Sequence, residues 1–156
     1  MSEQFRIPKI PVSVEIRTKG GVVLTGSLFL GEGQKGQESV LELLNGDSRF
    51  LVVELESGEV TFLRLAGLSL VSLRDEDAFA AHGGLDPFAA DLCSEVPLQI
   101  VFDDGNELAG IASYELPAER CRVQDLLNAP EPFFRFYHDD HLSFVNKWRV
   151  ARATLR

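Results

Sequence analysis

Apolar and polar residues alternate with a period of two along most of this chain, and the same alternation is written twice. Val12, Val14 and Ile16 alternate with Ser13, Glu15 and Arg17, the signature of a half-buried strand. Lys19-Gly20-Gly21 offers positive-φ residues for a tight turn, and residues 22–30 return as a second strand. Gly26 in its middle predicts a bulge or sharp bend. Residues 31–37 are loop by composition, and 38–44 predict one or two helical turns ended by Asn45 or Gly46 in the left-handed conformation. Three more strands are predicted over 49–56, 59–65 and 68–73.

The second half repeats this skeleton. Val96, Leu98, Ile100, Gly105, Leu108 and Gly110 match Val12, Val14, Ile16, Gly21, Leu24 and Gly26 at an offset of 84. Leu126-Leu127-Asn128 with Phe133 matches Leu43-Leu44-Asn45 with Phe50 at 83, and Phe144, Val145, Val150 and Leu155 match Phe62, Leu63, Leu68 and Leu73 at 82. The offset falls by one at each of two predicted loops, where a change of length costs little. Leu44, Phe50, Leu127 and Phe133 are expected in the core, with Asn45 and Asn128 capping their helical turns.

Five short strands in about sixty residues, joined to their neighbours and bent at glycines, predict a mainly β fold. The expected architecture is two tandem five-stranded, strongly bent antiparallel small barrels with short helical turns. The predicted limits are an extended arm over 1–11, where Pro8 and Pro11 disfavour helix, a first repeat over 12–74, a connector over 75–95 and a second repeat over 96–156.

Charge singles out the connector. The chain carries a formal net charge of −9, and residues 75–95 hold six acids and no base. The field opposes nucleic acid and anionic membrane. No apolar run approaches the roughly 20 residues of a transmembrane helix, and the start lacks the pattern of a signal peptide. Cys93 and Cys121 form no CxxC, so a reduced, soluble, cytoplasmic protein is expected.

Candidate chemistry is sparse. Tyr137-His138-Asp139-Asp140-His141 contains the potential metal ligands His138, Asp140 and His141, yet it falls on a hairpin turn between strands. Cys121 lies between Arg120 and Arg122, which would favour a thiolate, but no histidine stands near it in sequence as a base. His82 is alone in the connector, and Asp103-Asp104-Gly105-Asn106 suits a hairpin turn better than a calcium loop. No P-loop, Rossmann fingerprint or nucleophile elbow is present, and no cofactor is implied. The last strand gathers Lys147, Trp148, Arg149, Arg152 and Arg156, a basic and aromatic stretch that the first copy lacks. Such a stretch suits a partner, single-stranded nucleic acid, or the chain's own acidic connector, and the connector is expected to face it.

The pattern V-x-V-x-I-x-x-x-x-G-x-x-L-x-G resembles the first motif of the Sm-like barrels, within the wider SH3-like group. Residues 144–151, Phe-Val-Asn-Lys-Trp-Arg-Val-Ala, resemble the closing strand pair of the bacterial Sm-like RNA chaperones, chiefly at Val145, Lys147 and Val150. The layout is also similar to bacterial tandem-barrel proteins of unassigned function. The resemblance implies the fold. Asn45 and Asn128 stand 19 and 18 residues beyond Gly26 and Gly110, behind an inserted helical turn, and Trp148 stands where those chaperones carry histidine. RNA binding therefore does not travel with it. The function expected first is a non-catalytic interaction or assembly module with a protein partner or self-association. A nucleic-acid-binding Sm-like protein comes second, and a metal-dependent or thiol enzyme third.

Overall fold

A computed structural model describes residues 9–31, 36–74, 93–115 and 122–156. Among these residues it is mainly β: one ten-stranded antiparallel sheet that does not close, with two short helices. In chain order these are β1 (Lys9–Thr18), β2 (Val23–Gly31), α1 (Gly36–Leu44), β3 (Phe50–Leu55), β4 (Val60–Arg64) and β5 (Leu68–Leu73). The second half supplies β6 (Cys93–Phe102), β7 (Glu107–Glu115), α2 (Val123–Asn128), β8 (Phe133–His138), β9 (His141–Asn146) and β10 (Val150–Leu155). The 3-10 turns Leu65–Gly67 and Lys147–Arg149 join β4 to β5 and β9 to β10.

The strand order is β10-β6-β7-β8-β9-β5-β1-β2-β3-β4. Each half lays its strands in the order fifth, first, second, third, fourth, and the halves join where β9 pairs with β5. Loop hydrogen bonds repeat with the strands. Lys19 N donates to Gly67 O at 2.9 Å and Asp103 N to Arg149 O at 2.8 Å; Leu65 N donates to Arg49 O at 2.9 Å and Lys147 N to Pro132 O at 2.8 Å.

Three expectations are corrected. The first strand begins before the expected limit at residue 12: Lys9, Ile10 and Pro11 pair in β1 with Gly31, Leu30 and Phe29, and the rest of the expected arm lies outside the described residues. The β1·β2 register runs through Gly26 without a bulge, and the irregularities fall at Arg17/Thr18 against β5 and Val150/Arg152 against β6. Gly26 is glycine because a Cβ there would strike the Glu54 carbonyl oxygen; a Cβ at Gly110 would strike that of Tyr137. Asn45 and Gly46 are not left-handed either; among the described residues the positive-φ ones are Gly20, Gly21, Gly58, Gly105, Asp139 and Asp140.

Two cores result, and they are not one per half. The first contains Val14, Ile16, Leu28, Leu51, Val53 and Val71, together with Phe133, Leu142 and Phe144 from the second half. The second contains Leu98, Ile100, Phe102, Phe134, Phe136 and Val145, together with Leu70 from the first half. Side chains on a strand alternate between faces, so β9 sends Phe144 to one core and Val145 to the other.

Candidate interaction surface

β3 and β4 are apolar on both faces. Leu51 and Val53 point into the first core, while Phe50, Val52, Val60 and Phe62 point outwards and are exposed. The register pairs Val52 with Phe62 and Phe50 with Arg64, which places the outward residues on one face. Phe62 is 64% exposed and Phe50 46%. Phe50 is therefore not the core anchor that its repeat partner suggested. Its equivalent, Phe133, is 3% exposed because the first half covers it, and nothing among the described residues covers Phe50 in the same way. Leu44 is buried as expected, whereas Leu127 is only partly buried. The Arg64 guanidinium lies 4.9 Å from the Phe50 ring centroid, a cation–π contact at a solvent-facing edge.

Beside this patch, where the two halves meet, is a groove of about 330 Å³ lined by Leu44, Arg49, Arg64, Leu65, Pro132, Phe133, Asn146 and Trp148. Asn146 lines it, and Asn45 follows the lining residue Leu44 in sequence. Asn45 does not cap α1 with its side chain; its Nδ2 donates to Phe133 O at 3.1 Å and its Oδ1 accepts from Phe133 N at 2.8 Å. Asn146 is buried and donates to Leu65 O at 3.1 Å and Leu68 O at 2.9 Å, while its Oδ1 accepts from Trp148 N. Both amides therefore clamp one half onto the other. Asn128 has no such role; it donates to Gln124 O within α2.

The basic stretch divides. Lys147 is half-buried and donates to Ala129 O at 3.1 Å; burial pushes its ammonium pKa down, opposed by the Glu131 carboxylate. Arg149 pairs with Asp103 at 3.1 Å. Trp148, 69% exposed, is the member that faces the groove; Arg152 on β10 and Arg156 just after it are exposed. The expected contact between this stretch and the acidic connector lies outside the described residues, as do His82 and Cys121. Cys93 is in β6, opposite Glu115.

The histidine cluster falls on a tight two-residue turn, with Asp139 and Asp140 at φ 49° and 60° between the paired His138 and His141. His138 Nε2 lies 2.6 Å from Ser143 Oγ, which in turn meets Ser72 Oγ across the β5·β9 junction. Burial lowers the His138 pKa; the Asp139 carboxylate works against this, and Arg17 and His141 work with it. No group of three metal-ligating side chains converges among the described residues. The Asp103–Asn106 turn uses its acids locally: Asp104 accepts from Asn106 N at 3.0 Å and, across the halves, from Gly20 N at 2.9 Å. Those bonds, led by the one from Asn106, hold its carboxyl below the usual aspartate value.

Sequence reasoning missed Val52, Val60, Phe62 and Asn146. A signal for the first three was present: Phe50-Leu51-Val52-Val53 is a continuous apolar run, and such runs belong to strands covered on both faces. Among the described residues no helix is long and apolar enough to cross a membrane. Compared with family models, curated proteins and solved structures, the chain matches none.

Proposed function

We propose that the protein is a non-catalytic interaction or assembly module that docks partner strands on its open sheet edges. The carrying observation is the solvent-facing patch of Phe50, Val52, Val60 and Phe62 beside β4, which pairs only with β3 among the described residues. Natural edge strands are usually blunted by proline, lysine, bulges or inward charge, and Val60–Arg64 carries none of these on its apolar positions. In this reading each five-strand unit is a strongly bent small barrel similar to the Sm-like and SH3-like group. The test is hydrogen exchange at the β4 amides together with sedimentation, comparing the natural chain with Phe62→Glu. Protection of β4 and association, both lost in the variant with its circular dichroism unchanged, support the module. Unpaired exchange rates and identical sedimentation in both chains overturn it.

A second reading has one observation of its own. Trp148 faces a groove that also holds Arg49 and Arg64, a stacking surface beside two cations. Salt-dependent binding of single-stranded RNA that disappears in Trp148→Ala supports it; no binding at low salt removes it.

A further inference from the structure

We propose that the partner is a second copy of this chain, joined head-to-tail: β4 of one copy pairs antiparallel with β10 of the next, in the register that already joins β9 to β5. This rests on the reading of the protein as an interaction module and names its partner.

β4 and β10, the strands that end the sheet among the described residues, are not arbitrary surfaces. β4 corresponds in the repeat to β9, and β10 corresponds to β5. The chain therefore contains, already joined, one example of the contact that its own ends could make. Within the chain, Leu70, Val71 and Ser72 face Val145, Phe144 and Ser143. Carried across the repeat offset of 82, the same register sets Arg152, Ala153 and Thr154 of one copy against Leu63, Phe62 and Thr61 of the next. The Ser72–Ser143 hydroxyl pair becomes Thr154–Thr61. One step further out are Leu155 against Val60, both exposed now, and then Arg156 against Glu59, which are opposite in charge.

Burial is asymmetric in the way this pairing requires. On the side that inserts, Phe133, Leu142 and Phe144 are buried in the first core, and their equivalents Phe50, Val60 and Phe62 are exposed. On the side that receives, Val40, Leu44 and Leu73 are buried. Their equivalents Val123 and Leu127 are only partly buried, and Leu155 is 67% exposed. The first core is completed by the second half; the second core lacks the matching contribution, and a neighbour's β3 and β4 would supply it.

The asparagines complete the correspondence. Asn45 holds the backbone of Phe133 with two hydrogen bonds. Asn128, its repeat partner, would hold the backbone of the neighbour's Phe50 in the same manner, leaving its present bond to Gln124 O. Arg152 is the departure, since it stands where Leu70 is buried. Its stem can cover the neighbour's Leu63 while the guanidinium reaches water. The contact is heterologous, so each added copy again presents one β4 and one β10 edge, and a series ends only when its last β10 meets its first β4.

The experiment uses the full chain with Cys93→Ser and Cys121→Ser, carrying Thr61→Cys in one preparation and Thr154→Cys in another. Under mild oxidation the mixture is expected to form a disulfide-linked pair that neither preparation forms alone. Light scattering of the natural chain is expected to give a multiple of 17.3 kDa, and Phe62→Glu or Asn128→Ala to lower that mass. Cross-linking of Thr61→Cys with itself shows a twofold β4–β4 contact, which overturns the head-to-tail arrangement and leaves the interaction module standing. A single-chain mass at every concentration overturns self-assembly. If Phe62→Glu then also leaves β4 exchange and all association unchanged, the module reading falls with it.

Discussion

Gly110 shows how little room a residue can have. A Cβ there would meet both the Tyr137 carbonyl oxygen and the Phe136 ring, so Gly110→Ala must push β7 off β8. A loss of about 1–3 kcal/mol is expected, the usual range for overpacking a filled site, read as a lower urea midpoint. Asn146 is the polar counterpart. Replacing it with alanine leaves the carbonyls of Leu65 and Leu68 without their buried donor, at a cost of about 1–3 kcal/mol. His138 makes a prediction in pH. Its folded pKa lies below the ordinary 6.5, so the unfolded chain takes up the proton first as pH falls. The stability it contributes is complete above that value and is lost progressively below it, until the folded pKa is passed. The urea midpoint is expected to drop between neutral pH and the acid side of 6.5, and to drop less in His138→Gln.

Among the elements, β4 and β9 are the informative pair, since similar sequences meet opposite surroundings. Phe144 is fully buried and Phe62 is 64% exposed. Phe144→Ala is expected to cost roughly 3–5 kcal/mol. Phe62→Ala should change the stability of the dissociated chain by no more than about 0.5 kcal/mol. Comparable losses in both variants under dissociating conditions would mean that β4 is covered within one chain. Phe133→Ala belongs with Phe144→Ala, because Phe133 packs in the same core.

For the whole molecule, the crossing of side chains between halves predicts one cooperative unit. Phe133, Leu142 and Phe144 complete the first core, and Leu70 enters the second. Asp104, Asn45 and Asn146 add hydrogen bonds across the same boundary. The sole tryptophan, Trp148, reports from the second half, and far-ultraviolet circular dichroism reports from all ten strands. The two denaturation curves are expected to coincide. A tryptophan transition separate from the circular-dichroism transition would show that the halves unfold independently.

The strands and their turns were legible in the chain itself, because alternation and glycine placement are local properties that set which face of a strand is apolar. The doubled pattern, with its offsets of 84, 83 and 82, likewise announced that both halves order their strands alike. What no local pattern could decide is which neighbour each apolar face meets. Phe50 and Phe133 occupy the same place in the repeat, yet only Phe133 is buried, because a linear chain of two units joins one fourth strand to one fifth strand and leaves the other of each at an end. The asparagines followed the same rule: sequence assigned both to helix caps, and Asn45 instead holds the other half because that half lies beside it. The exposed apolar face of β3 and β4 is a consequence of position in the assembled sheet, and tertiary structure alone decides position.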